Sequence, residues 1–472
     1  MSATIIENLG KFTAGTQFEQ LPAEVVNESK RILLDSIGCA LGSVNDPKGK
    51  IGIDYGRLIG GANGPSTIIG TADRTSVFGA AFANGELISA LDFDAILPPG
   101  HVSPYVLPGA MAIAEAQGLA GKELLNVVAI SHEMSFRLGK ATDYLRDVKD
   151  GKVTPPKVYG YSSTVFGATA AIVRLKGLSA ERTAHALGIA GSIAPVNSHR
   201  AWTQHVPSTT IKYLMAGVLA QTALTAAHMG EMGHRGDLQT LDDPDYGFPR
   251  FIGTTRWEPD CILAGIGQDW RFTAESAFKP YPHCRILHPL LDCMIAMLEK
   301  NDIKPHEIEG IHALVEGFVM QPIWLNNRIE HTQDGQFSIA HGLSLGAHRF
   351  PIGKAWQDPK AVYDPSVLAL MSKVSFAIHP DYEKALKEHP SSRPSRIEVK
   401  ARGQTFVAEA SFPKGVPSPD PSTYMTTEEL VAKFRGNAEG VLSLGATDQV
   451  LDALLDLEHV KDFSSVMRLL RV

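Results

Sequence analysis

The sequence predicts a mainly α-helical protein: a large all-helical domain built from both ends of the chain, and a smaller α+β domain between them. Three observations carry this expectation. Apolar residues recur at helical spacing through about the first 260 residues, strict apolar alternation appears only later, from Ile311 to Ala410, and helical spacing resumes after the Pro-rich segment Pro413 to Pro421. The predicted boundaries are therefore residues 1–268 for the first part of the helical domain, 269–412 for the α+β domain, and 413–472 for helices that rejoin the first.

From Leu21 to Gly42, Val26, Leu33, Ile37 and Leu41 keep helical spacing, with Pro22 near the helix start. Ala-rich, weakly polar stretches at about 78–91, 106–118, 121–140, 163–176, 180–193 and 208–229 read as further helices whose small residues permit close packing. A helix at about 285–300 then precedes the alternation of Ile311, Ala313 and Val315, and another helical stretch follows near 336–347. Val374 to Ile378 reads as a strand. Ile397, Val399 and Ala401, then Arg402-Gly403, then Phe406, Ala408 and Ala410 have the pattern of a β-hairpin. The last helices are predicted at about 426–436, 446–456 and 460–469.

Composition excludes several function classes. With 44 Lys+Arg against 51 Asp+Glu the formal charge is −7 and no basic cluster stands out, so no nucleic-acid partner is expected. The apolar runs fall short of the ~20 residues of a membrane span, and Met1 to Gly15 lacks the pattern of a signal peptide. Cys39, Cys261, Cys284 and Cys293 form neither a disulfide framework nor an iron–sulfur spacing, which fits a reducing cytoplasm.

Two polar clusters stand out. In Phe278-Lys279-Pro280-Tyr281-Pro282-His283-Cys284-Arg285, two prolines stiffen a loop that presents a lysine, a histidine and an arginine just before a helix, the usual construction of an anion site. Between two predicted helices, Asp92, Asp94 and His101 share one loop, where a carboxylate beside an imidazole suits proton transfer near neutrality. Read alone, each is also explicable as a solvated turn. Lys212 lies among apolar neighbours early in a helix and must snorkel or meet an anion. Gly265-Ile266-Gly267 lacks the third glycine and preceding strand of a dinucleotide loop, and Ser162-Ser163-Thr164 reads as a helix N-cap. No metal spacing is evident: His283 and His288, five apart, would diverge by about 140° on a helix.

Taken in order, Asn84-Gly85, Leu91-Asp92-Phe93-Asp94, His101, the Lys212 to Gly217 helix, Phe278-Lys279 to Pro282, Phe337-Ser338 and Lys433-Phe434-Arg435 resemble the MmgE/PrpD family over nearly the whole chain. That family includes 2-methylcitrate dehydratases, cis-aconitate decarboxylases and iminodisuccinate epimerases. The resemblance implies an α+β lid on the helical domain, a site between the two, a homodimer, and no metal or organic cofactor. It also implies that Asp92 and His101 belong to the site, that Lys212 and Lys279 bind substrate carboxylates, and that His283 and Arg285 lie nearby. Three departures accompany it: Ser162 stands where many members have histidine, Met215 ends the Lys212-Tyr213-Leu214-Met215 run where histidine is frequent, and His341 stands where tyrosine is frequent. The segment Asp143 to Val158 also carries extra charge and Pro155-Pro156.

The expected function is thus a cofactor-independent lyase or isomerase that abstracts a proton beside a carboxylate of a small di- or tricarboxylic acid. Dehydration ranks ahead of epimerisation and decarboxylation by family frequency. Asp92, His101, Lys212, Lys279 and His341 are the expected catalytic residues; Lys212, Lys279, His283, Arg285 and Ser162 are the expected substrate-binding ones. With the family histidine replaced at Ser162, His101 and His341 are expected to share the acid and base roles, and Asp92 to orient His101. A different class, a non-catalytic metabolite-binding dimer, is disfavoured by the joint presence of Asp92, His101, Lys212 and Lys279.

Overall fold

The computed structural model describes residues 3–142, 146, 148–149, 152–153, 156, 158–195 and 199–472. Helix makes up 58% of it and strand 8%, so the fold is mainly α with a smaller α+β part.

Helices α1 (Ile5–Gly15), α2 (Ala23–Ser43), α3 (Pro47–Gly60), α4 (Val77–Ser89), α5 (Ser103–Gln117), α6 (Gly121–Ala141), α7 (Thr164–Leu175), α8 (Ala180–Ile193) and α9 (Ile211–Glu231) form the helical body. α4, α5, α7 and α9 pack on one another at its centre. Here α4 and α5 are buried almost all round, which is why their sequences show little polar face. Small residues set the spacing. A Cβ at Gly217 of α9 would lie 2.5 Å from the Phe82 ring of α4, so these helices approach closely only because Gly217 is glycine.

After α10 (His288–Lys300), the strands β1 (Ile308–Val315), β2 (Val374–Ile378), β3 (Ser395–Ala401) and β4 (Gln404–Ala410) form a sheet ordered β4-β3-β1-β2, interrupted in sequence by α11 (Ile339–Ala347). β1 pairs parallel with β2 and antiparallel with β3. Ile397, Val399 and Ala401 of β3 are wholly buried, and α10 packs on β3 and β4, which explains the alternation. The β3–β4 hairpin turns through Arg402 and Gly403 at φ +53° and +71°, the left-handed pair that a two-residue turn requires.

The chain ends in α12 (Thr427–Ala438), α13 (Leu444–Leu455) and a short helix at Ser464–Leu469. α12 packs against α2, where Phe434 and Asn437 lie over Gly38 and Gly42. Among the described residues no helix is long and apolar enough to cross a membrane. The four cysteines are free thiols.

Candidate active site

The site begins with the loop between α4 and α5. Asp92 holds a left-handed backbone at φ +52°, a conformation costing a non-glycine residue about 1–3 kcal/mol unless its surroundings impose it. They do so here. The Ala95 N–H donates to Asp35 Oδ2 at 3.0 Å, and Lys433 bridges Asp35 Oδ1 (2.7 Å) and the Phe93 carbonyl (2.6 Å), so α2 and α12 together clamp the loop. On its other side, Ile96 and Ala277 exchange backbone hydrogen bonds of 2.7 and 2.9 Å, docking the loop on the segment that carries Lys279.

Asp92, 2% exposed, is the hub of what results. The Lys279 ammonium lies 2.9 Å from its Oδ2 and donates to its carbonyl at 2.7 Å, and the Lys212 ammonium, on the first turn of α9, pairs with its Oδ1. His101 Nε2 approaches the same Oδ1 at 3.3 Å. Burial alone would raise the Asp92 pKa, but the two lysines outweigh it and hold the carboxyl well below the usual carboxylate range. Burial pushes Lys279 down, with Asp92 acting against it. The Lys212 ammonium also faces the rings of Tyr213, Phe337 and Trp202 at 4.8, 5.5 and 6.0 Å, so it is neither snorkelling nor solvated.

These groups face a cavity of about 480 Å³ lined by residues from both halves of the chain, including Asp92, His101, Lys212, Lys279 and Arg285. Five of the residues expected from the sequence are therefore brought together. Three are not. His341 is wholly buried, its Nε2–H donating to the Val362 carbonyl at 2.9 Å, and it is not among the lining residues. His283 lies behind Lys279 against Gly342, where burial pushes it down to about 4. Ser162 turns its hydroxyl to the Pro195 carbonyl and is not among the lining residues.

His101 has a second carboxylate partner besides Asp92. Its Nδ1 lies 2.7 Å from Asp94 Oδ2, so Asp94 holds the ring together with Asp92, to which Nε2 points on the cavity side. A ring with a carboxylate at each nitrogen is fully paired only as the imidazolium. Asp92, Asp94 and His101 also bring three metal-type ligand atoms within 4.8 Å of one another, a set invisible at their sequence spacing. Both oxygens of Asp92 already face ammoniums, which oppose a further cation there. Sequence reasoning also missed Arg146 and Arg393, which line the cavity from loops without a local motif, and Tyr161, which lines it from the short helical turn Gly160–Ser163. The charged segment 143–158 lies largely outside the described residues, apart from Arg146 and a few neighbours.

Residues 7–260 match the MmgE/PrpD N-terminal domain and residues 281–457 the MmgE/PrpD C-terminal domain. The chain belongs to the MmgE/PrpD family. It is similar to the cis-aconitate decarboxylases of Homo sapiens, 26% identical over all of this chain and 95% of that one, and of Mus musculus, 26% identical over all of this chain and 94% of that one. A cis-aconitate decarboxylase of Aspergillus terreus is 23% identical over 96% of this chain and 93% of its own. Several MmgE/PrpD landmarks now have physical roles. Lys433 clamps the Asp92 loop, Phe337 covers the Lys212 ammonium, and Asn84 ties α4 to the chain at Thr67 and Ile69 with two 3.0 Å hydrogen bonds.

Proposed function

We propose that this protein is a lyase that acts on a small di- or tricarboxylic acid without a metal or organic cofactor, and that it forms a carbanion beside a carboxylate. The observation that carries the reading is the convergence of Lys212, Lys279 and His101 on Asp92 in one shared cavity. A carbanion next to a carboxylate accumulates negative charge on the carboxylate oxygens, and preorganised ammoniums placed there stabilise it more than they stabilise the substrate.

Decarboxylation is the reaction the lining favours. Dehydration or epimerisation needs one group to remove a carbon-bound proton and another to protonate the leaving hydroxyl or the opposite face. Loss of carbon dioxide needs a single proton delivered. Among the described lining residues His101 is the one imidazole. In this sequence of events the C–C bond to a carboxylate breaks and CO2 leaves. The electron pair spreads into the remaining conjugated carboxylate under Lys212 and Lys279, and the His101 imidazolium passes its Nε2 proton to carbon. The relatives' names, cis-aconitate decarboxylase, support the same choice over the dehydratase that family frequency favours.

The test is proton NMR of cis-aconitate and related di- and tricarboxylates incubated with the protein in D2O. The expected outcome is consumption of one acid with CO2 release and deuterium at the protonated carbon. Loss of water without CO2 would select the dehydratase reading, and no exchange or turnover of any acid would overturn both. The homodimer implied by the resemblance should appear in light scattering as twice the chain mass.

A further inference from the structure

Gln336 is buried between the short helix Thr332–Gly335 and α11, and it hydrogen-bonds to each of the three segments that build the site. Its Nε2–H donates to the Ala90 carbonyl at 3.3 Å, its Oε1 accepts the Tyr213 hydroxyl, and its backbone carbonyl accepts the Cys284 N–H at 3.3 Å. Ala90 ends α4 just before Asp92, Tyr213 follows Lys212 in α9, and Cys284 belongs to the loop that carries Lys279. Each charged group at the centre of the site is therefore a few residues from a bond to Gln336. Its neighbours extend the hold on α9. Asp334 accepts the Ser208 N–H at 2.8 Å ahead of that helix, and the Phe337 ring lies 5.5 Å from the Lys212 ammonium.

Tyr213 carries this hold to Lys212. Its ring lies 4.8 Å from the Lys212 ammonium and 5.1 Å from that of Lys48, close enough for both cations to be drawn to it. The position of the ring thus helps to decide where the Lys212 ammonium rests beside Asp92. Burial raises the Tyr213 phenol well above its usual range, so the hydroxyl keeps its proton and donates it to Gln336, with the Gln333 side chain facing the same hydroxyl. A neutral amide suits this place, because it accepts from Tyr213 and donates to Ala90 without adding a charge near the lysines. Gln336 is not among the residues lining the cavity, so what it does there it does through others.

We propose that Gln336 is a positioning residue for the lyase chemistry: from the α+β part, it holds the Asp92 loop, the Lys212 turn and the Lys279 loop in one arrangement. This deepens the lyase reading and rests on its placement of a carboxylate at Lys212 and Lys279. The bonds to Ala90 and Tyr213 cross from the α+β part to the helical body, so they favour the relative position in which both ammoniums share Asp92. A displacement of 1 Å at a group that binds the transition state can cost about 10²-fold in rate, which makes such a tie matter without any contact to substrate.

A double-mutant cycle on the acid that the protein turns over tests the proposal. Gln336→Met keeps the side-chain volume and removes both of its hydrogen bonds, and Tyr213→Phe removes the hydroxyl alone. Each should lower kcat by about 10- to 100-fold with KM changed much less, and the double variant should be no slower than the slower single one, because both cut the same link. An unchanged kcat in Gln336→Met beside a lower melting temperature would make the residue structural only, and losses that multiply in the double variant would show that it does not act through Tyr213. Either result overturns the proposal and leaves the lyase reading standing. Should Gln336→Met not fold, Tyr213→Phe decides alone, and an unchanged kcat overturns the proposal. If the wild type turns over no acid, the lyase reading falls, and hydrogen exchange decides whether Gln336 ties the three segments: residues 90–97, 211–215 and 280–287 should lose protection together in Gln336→Met. Loss confined to residues 332–338 would overturn the tie.

Discussion

At Asp92 one carboxylate holds two ammoniums and the edge of an imidazole, so each partner is positioned before any substrate arrives. Lys212→Ala and Lys279→Ala should each lower kcat/KM by about 10²-fold or more, the scale of losing one preorganised donor to developing negative charge. Lys279→Arg should recover only part, because the planar guanidinium cannot reproduce the ammonium's contacts with both Asp92 Oδ2 and the Asp92 carbonyl. Asp94 is a positioning residue: Asp94→Asn should lower kcat more than it raises KM, since the orientation of the His101 ring depends on it. His341→Gln should leave kcat and the pH profile unchanged, and a large loss would return His341 to the mechanism. Steady-state kinetics across pH checks all of these. Asp92, His101 and Lys279 were legible in the sequence because two short loops concentrate polar groups, Lys212 because it lies among apolar neighbours, and the roles of all four because the ordered landmarks resemble the MmgE/PrpD family. Asp94 shares a loop with His101, but its contact with Nδ1 depends on how that loop folds, and Arg146 and Arg393 come from loops that meet the site only in the folded chain.

The element that most constrains the site is the α4–α9 pair, because α9 carries Lys212 in its first turn. Glu86 of α4 accepts the Gly217 N–H of α9 at 2.7 Å, and burial raises its pKa to about 8. A carboxyl raised above its unfolded value of about 4.3 contributes stability that is present at low pH and lost as pH rises towards the folded value. Glu86→Gln keeps an acceptor without the charge, so it should raise the melting temperature at pH 8 and flatten the decline of stability between about pH 5 and 8. Equal slopes in the two proteins, measured by thermal unfolding, would show that Glu86 is not protonated in the fold. Gly217→Ala should destabilise by about 1–3 kcal/mol, because its Cβ would meet the Phe82 ring and force the helices apart. Periodicity located most long helices and all four sheet strands, since burial of one face or of alternate residues writes itself into the sequence. It was silent on α1, although Thr4 and Glu7 form a capping box at its start.

Over the whole molecule, the cavity is where the helical body and the α+β part meet: Asp92, His101 and Lys212 belong to the first 231 residues, and Lys279, Arg285 and Arg393 come from beyond residue 270. A ligand held at both sets of cations therefore binds the folded arrangement of the entire chain and nothing in the unfolded one. Such a ligand at 100 times its dissociation constant stabilises by about 2.7 kcal/mol. The melting temperature should accordingly rise by a few degrees with a bound dicarboxylate, and salt should reduce the rise, because the attraction is between charges. Chelation separates this from metal linkage. If the Asp92, Asp94 and His101 set held a divalent ion, exhaustive chelation would lower both the melting temperature and the activity, and the ion would restore them. With two ammoniums already against Asp92, chelator should change neither, and the dicarboxylate should stabilise chelated and untreated protein alike. A dicarboxylate shift that vanished with chelator would mean that the anion is held through a cation at Asp92, Asp94 and His101, and not by Lys212 and Lys279.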